Sequence, residues 1–229
     1  MRVVIAGVAV GLAIAYAGFH VGNAVRENVL NQRYIEVRGV AERLVQADHA
    51  AWTLPFSVAG RDVREIMTEV ARQQTVIKNF LVERGFKSAE VGSQAASVQD
   101  NWSMGNPQAA ERYTGRSAVT VATHDVAAVQ AAAQNLDALL KADILLDYPS
   151  IQYRYTALND IKPTMLTEAT QNARAAGESF ARDSGARIVK LRSATQGLFS
   201  ILSPIDDYDD AGSVTKRVRV VTRMQYTID

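Results

Sequence analysis

The chain has no cysteine, which excludes disulfides, thiol nucleophiles and thiolate metal sites together. It has only three histidines, His20, His49 and His124, far apart and without a His-x-x-x-His or His-Glu pairing, so they read as structural or surface residues. An excess of charge of either sign is missing as well: the formal net charge is +1, too small to create a field that gathers nucleic acid. No Gly-x-Ser-x-Gly elbow, Walker loop or Gly-x-Gly-x-x-Gly follows a strand-like stretch, so acyl-transfer, nucleotide and dinucleotide chemistry lack their signals. No acid, base and nucleophile set can be named, and no catalytic residue, metal or cofactor is expected. Low-complexity tracts are absent, and proline and glycine stand singly at turn positions.

What the chain does have is an uncharged run from Val3 to Val25, behind Arg2 and ahead of Arg26. As a helix this run is about 34 Å long at ~1.5 Å per residue, enough to cross a hydrocarbon core of about 30 Å. Residues 1–27 therefore form either a retained membrane anchor or a signal segment cleaved after Ala17, at the small-x-small site Ala15-Tyr16-Ala17. The apolar length favours the anchor. Gly7, Gly11, Ala15, Gly18 and Gly22 recur at helical spacing and make a small-residue face suited to helix packing in lipid. Arg26, Arg33, Arg38 and Arg43 argue for a cytoplasmic carboxyl side, whereas the short basic head and Ala-x-Ala site resemble an export signal. The domain is expected on the periplasmic side of an inner membrane, with a soluble periplasmic protein as the alternative.

After a polar connector, residues 28–33, the remainder (34–229) reads as one α+β domain with two lobes as an alternative. Alternation marks strands at Arg33–Leu44 and His49–Ala59, joined at Ala47-Asp48 as a hairpin. Asp62 caps a helix carrying Val63, Ile66, Val70, Ile77 and Leu81 to Gly85. Strands follow at Ser88–Val98 and Arg112–Thr123, then an Asp125-capped helix from Val126 to Lys141 and a strand from Ile151 to Leu158. A third helix runs from Asp160 to Gly185, with Leu166, Ala169, Ala173, Ala176 and Phe180 inward, ahead of strands Ile188–Ile201 and Thr215–Ile228. The order ββα ββα βα ββ predicts a mostly antiparallel sheet with helices on one face, the other face left for solvent or a partner.

Ile35-Glu36-Val37-Arg38-Gly39-Val40-Ala41-Glu42 and the turn Ala47-Asp48-His49-Ala50 resemble the opening of the SIMPL-domain family, which includes bacterial oxidative stress defence proteins. Asn172-Ala173-Arg174-Ala175-Ala176-Gly177, Ser184-Gly185-Ala186 and the closing Val218-Arg219-Val220 extend the resemblance to about Tyr34–Ile228. It implies an envelope protein, often behind a signal segment, with a role in stress tolerance and a tendency to large ring-like or channel-like homo-oligomers. It brings no catalytic residue.

Three features are candidate subunit contacts. Asp206, Asp207, Asp209 and Asp210 crowd one loop; they lack EF-hand spacing and read first as a solvated connection, with a hard-cation site as the sharper alternative. Arg217, Arg219 and Arg223 share one face of the last strand, opposite Val218, Val220, Met224 and Tyr226. They serve either as guards of a sheet edge or as a basic strip for a neighbour's acidic loop. Trp102 sits in a long polar loop, either folded back onto its own core or offered to a partner subunit or membrane surface. The leading expectation is a non-enzymatic, membrane-anchored envelope protein that assembles into a large homo-oligomer. The alternative is a soluble exported protein binding a small ligand or cation.

Overall fold

A computed structural model describes residues 14–22, 33–206 and 208–229. Residues 14–22 are helical and exposed, and the positions of Gly18 and Gly22 have open space around them. Most of the expected Val3–Val25 span, with Gly7 and Gly11, lies outside the described residues, as does Asp207. Among the described residues no helix is long and apolar enough to cross a membrane.

The fold is α+β with two antiparallel sheets rather than one. The strands are β1 Tyr34–Gln46, β2 His49–Gly60, β3 Val91–Ser93, β4 Ser97–Asp100, β5 Tyr113–Thr123, β6 Ser150–Arg154, β7 Ile188–Gln196, β8 Ser200–Leu202 and β9 Thr215–Ile228. The helices of the domain are α1 Val63–Glu83, α2 Val126–Ala133, α3 Asp137–Leu140 and α4 Leu158–Asp183, with a 3-10 turn at Ser88–Glu90. One sheet has the order β1-β9-β7, with β8 also on β9; the other runs β3-β5-β2-β6, with β4 also on β5. The expected β1–β2 hairpin is therefore not formed, because the two strands belong to different sheets. The turn itself is engaged by distant chain: Ala47 N–H donates to Val214 O and Asp48 N–H to Arg154 O.

Two compact units result, the first from Met1–Arg43, Asn159–Ser200 and Val218–Asp229, the second from Leu44–Leu158 and Ile201–Arg217. In the second unit, α1 starts where predicted, with Asp62 accepting the N–H groups of Arg64 and Glu65 at 2.8 and 3.2 Å. It ends at Gly85, whose positive φ turns the chain so that Phe86 N–H reaches Leu81 O. Its Ile66, Val70, Ile77 and Leu81 pack with Trp52, Leu54 and Phe56 of β2 and Val119 and Val121 of β5, all fully buried. Fully burying each such side chain is worth about 1.5–3 kcal/mol, so this face dominates the unit's stability.

Local departures have local causes. The predicted strand Ser88–Val98 is a 3-10 turn followed by β3 and β4, interrupted at Gln94–Ala96, where Gln74 of α1 donates to both Gln94 O and Ser117 Oγ. The helix expected from Val126 to Lys141 splits, because Asn135 turns its side-chain amide onto Ala131 O and competes with the helical pattern. Strand β6 stops at Arg154, short of the predicted Leu158, because Asp48 takes the N–H groups of Thr156 and Ala157 away from the sheet.

In the first unit α4 buries Met165, Ala169, Ala173, Gly177 and Ala181, every fourth residue. Ala176 and Phe180, expected inward, are exposed. The reason is the closeness of β1: a Cβ at Gly39 would overlap Ala169 O and the backbone of Ala173. Only a stripe of small side chains permits that approach. Gly177 similarly leaves room for the Tyr226 ring and Ile188. Gly39→Ala is therefore expected to cost the first unit about 3 kcal/mol through overpacking against rigid backbone, read as a lowered urea midpoint with helix α4 still present by circular dichroism.

Candidate functional site

The acidic loop and the basic strand meet within this one chain. β9 alternates from Thr215 to Tyr226, with Lys216, Val218, Val220, Thr222, Met224 and Tyr226 buried. It is central in its sheet, between β1 and β7, so its arginines do not guard an edge. They face the acids of the neighbouring strand instead: Arg219 Nε lies 3.1 Å from Glu42 and Arg223 Nε 3.3 Å from Glu36, which also accepts from Gln225. Cross-strand pairs of this kind contribute roughly 0.2–1 kcal/mol each and fix register more than stability.

Within the second unit Lys216 is 1 % exposed, unusual for a lysine. Its ammonium donates to Asp209 Oδ1 at 3.0 Å and to Asp210 O, while Arg217 donates to Asp206 O at 2.8 Å. Asp210 Oδ1 accepts the Gly212 N–H. The loop's described acids thus fasten it to its own strand. Among the described residues no group of three or more His, Asp or Glu side chains is arranged to hold a metal ion.

Trp102 sits in a loop closed by a clasp, in which Arg112 Nε and Nη2 donate to Asp100 Oδ2 at 3.1 and 2.9 Å. The same guanidinium lies over the Trp102 ring at 5.3 Å and the Tyr113 ring at 4.9 Å. The Trp102 indole N–H points to Ala109 O at 3.4 Å. The bond from Arg112 also holds the Asp100 carboxyl below the ordinary aspartate range. The ring is oriented by its own loop yet 47 % exposed, and Met104 beside it is 69 % exposed. Apart from Asp100, no residue from Val91 to Ala110 is charged.

Two arrangements escaped sequence reasoning. A groove of about 630 Å³ runs along α4 in the first unit, lined by Arg174, Glu178, Ile188, Leu191, Met224 and Tyr226 among others. His49 and His124 come together, their ring centroids 5.1 Å apart. The β2–β5 register explains the second: Ala50 pairs with Thr123, and the next step along both strands sets His49 opposite His124. Nothing in the linear spacing shows that register.

Residues 35–224 match SIMPL, a protein family of unknown function (DUF541). The chain belongs to the SIMPL family. The motifs that carried the resemblance are packing devices of the SIMPL domain: Gly39 admits Ala169 and Ala173, Asn172 donates to Val40 O at 2.9 Å, and Gly185 ends α4 with positive φ. Asp48 of the Ala-Asp turn accepts from Thr156 N, Thr156 Oγ1 and Ala157 N at 2.8–3.0 Å. No curated protein matches the SIMPL chain. Among solved structures, a hydrolase from Listeria innocua is 8 % identical, covering 82 % of this chain and 91 % of that one, with a TM-score of 0.21. A likeness that low carries no argument about activity.

Burial acts to raise the Asp48 pKa, but the bonds from Thr156 and Ala157 outweigh it and hold it below the ordinary aspartate value. A depressed carboxyl contributes stability that is present above the unfolded pKa, about 3.9, and is lost as pH falls through the folded value. Asp48→Asn should thus cost about 1–3 kcal/mol at neutral pH, by weakening bonds to two backbone donors, and show less acid sensitivity than the parent in denaturation series below about pH 4. Lys216→Met, which keeps an apolar stem without the charge, should change stability by less than about 1.5 kcal/mol while releasing the acidic loop. Faster protease cleavage within residues 203–213 would register that release.

Proposed function

We propose that this SIMPL protein is a non-enzymatic envelope component, tethered by Val3–Val25 with its domain in the periplasm, that assembles into a large homo-oligomer serving stress defence. The observation that carries assembly is the stretch Val91–Ala110. It forms the β3–β4 edge of the five-stranded sheet and the loop beyond it, and its one charge, Asp100, is consumed by Arg112. An open edge without lysine or arginine is a template for pairing, and half-exposed Trp102 and Met104 beside it are anchors of the kind interfaces use. The β7 edge of the other sheet is guarded differently, by Arg187, Lys190 and Arg192 and by register irregularities at Ile188/Lys190 and Leu191/Ser193. The non-enzymatic reading is supported by where the depressed carboxyls are used. Asp48 holds a turn, Asp100 closes a loop, and Glu69, held at about 2 by bonds from Arg72 and Gln73, braces α1.

The groove along α4 favours a second reading, a soluble periplasmic protein, freed by cleavage after Ala17, that binds a small ligand. Native mass spectrometry of protein extracted from membranes in mild detergent separates the two. A subunit near 24.9 kDa within a defined large oligomer is expected. Ser97→Lys, which sets a charge on the exposed side of the open edge, should shift that oligomer to smaller species. A lighter subunit released without detergent as a monomer would overturn the assembly reading.

A further inference from the structure

We propose that His49 and His124 form a two-imidazole site for a divalent transition-metal ion, copper(II) being the best fit. The site lies at the end of the second unit's sheet where β2 begins and β5 ends, and the strand register sets the two side chains opposite each other on one face. His124 Nδ1 lies 2.9 Å from Asp48 O. A carbonyl oxygen only accepts, so in the neutral ring Nδ1 carries the proton and Nε2 keeps its lone pair. A ring nitrogen donating to a backbone carbonyl while the other faces outward is the support that orients metal-binding histidines. The Nδ1 of His49 is buried and has no hydrogen-bond partner, an unsatisfied polar atom that needs an explanation.

The ring geometry suits a shared ion. Metal–imidazole bonds of about 2.0–2.1 Å put each ring centroid ~3.2 Å from the metal, and ligand angles from about 90° in a tetragonal site to the tetrahedral value then separate the two centroids by roughly 4.5–5.2 Å. The observed separation is 5.1 Å, with the ring planes at 87°. Glu90 adds negative charge near His124, its carboxylate fixed by Lys87 N–H and the Thr123 hydroxyl. Arg154 opposes His49 on β6, but its guanidinium donates to Gln152 Oε1. With two imidazoles, no thiolate and no third protein ligand among the described residues, water or an external ligand would fill the remaining positions. Nitrogen ligands in an open shell favour copper(II) among the divalent first-row ions. The inference is independent of assembly, since every residue it uses lies within one unit of one chain.

The test is copper(II) titration of the whole chain in mild detergent, read by electron paramagnetic resonance and by thermal melting. Saturation at one ion per chain, with hyperfine structure from two imidazole nitrogens, is the expected result. His49→Gln and His124→Gln should each weaken binding by more than about tenfold, since losing even an outer-shell partner costs about 10–100-fold. His20→Gln should leave it unchanged. Copper should raise the melting temperature of the parent and not of the double variant, whose fold is checked by circular dichroism in the absence of metal. A copper signal that survives the double variant, follows His20, or shows a single nitrogen would overturn the proposal, as would the absence of saturable binding.

Discussion

The first unit depends on one close approach, that of helix α4 to strand β1 at Gly39. Backbone meets backbone there, with Ala169 O and Ala173 occupying the space where any other residue would place its Cβ. From that contact follow the stripe of Met165, Ala169, Ala173, Gly177 and Ala181, the outward turn of Phe180 and the seat of the Tyr226 ring beside Gly177. A helix brought this near buries little side-chain volume, so stability there comes from fit and dispersion rather than from large apolar groups. The second unit is built the opposite way, around Trp52, Phe56 and the aliphatic face of α1. One chain thus contains a core closed by a mostly small-residue helix stripe and a core built on large side chains from helix and strands alike.

Elements were legible in the sequence and pairings were not. Alternation and caps located β1, β2, β5, β9 and the start of α1 because those signals are local: period two, an aspartate before the first turn, a glycine after the last. Which strands become neighbours depends on residues far away, and the short Ala47-Asp48 connection suggested a hairpin that Val214 and Arg154 dissolve by bonding to that turn. The inward face of α4 was read correctly at Ala169 and Ala173 and incorrectly at Ala176 and Phe180, because helical spacing alone does not show which stripe a tight helix–strand contact selects. Trp102 was singled out on composition, but the Asp100–Arg112 clasp that presents it spans the loop and has no local signature. The two histidines were dismissed on spacing, and only the register of β2 against β5 brings them together.

Several acids of this protein are spent on cations of its own chain. Glu36, Glu42, Asp100 and Asp209 each meet a cation of the same chain. The near-neutral total comes from 25 Lys and Arg set against 24 Asp and Glu, a balance of charge rather than a scarcity of it. The stretch from Val91 to Ala110, whose one charge, Asp100, is paired with Arg112, stands out against that background, and it is where an outside surface meets the least desolvation penalty.

The arrangement of the first unit sets an order on its formation. Strand β1 is made before every other described strand, yet the strand it pairs with, β9, is made after them all. At about 5–20 residues per second of synthesis, β1 waits on the order of ten seconds or more for a partner. The second unit, whose main segment is contiguous from Leu44 to Leu158, has most of its residues in hand during that interval. The carboxyl-terminal strand then acts as a latch: a chain truncated before Val218 would keep the helix α4 sequence and both flanking strands but lack the element that joins them. Closure of this sheet therefore rests on Val218–Asp229, since the partner of β1 is made only after α4 and β7.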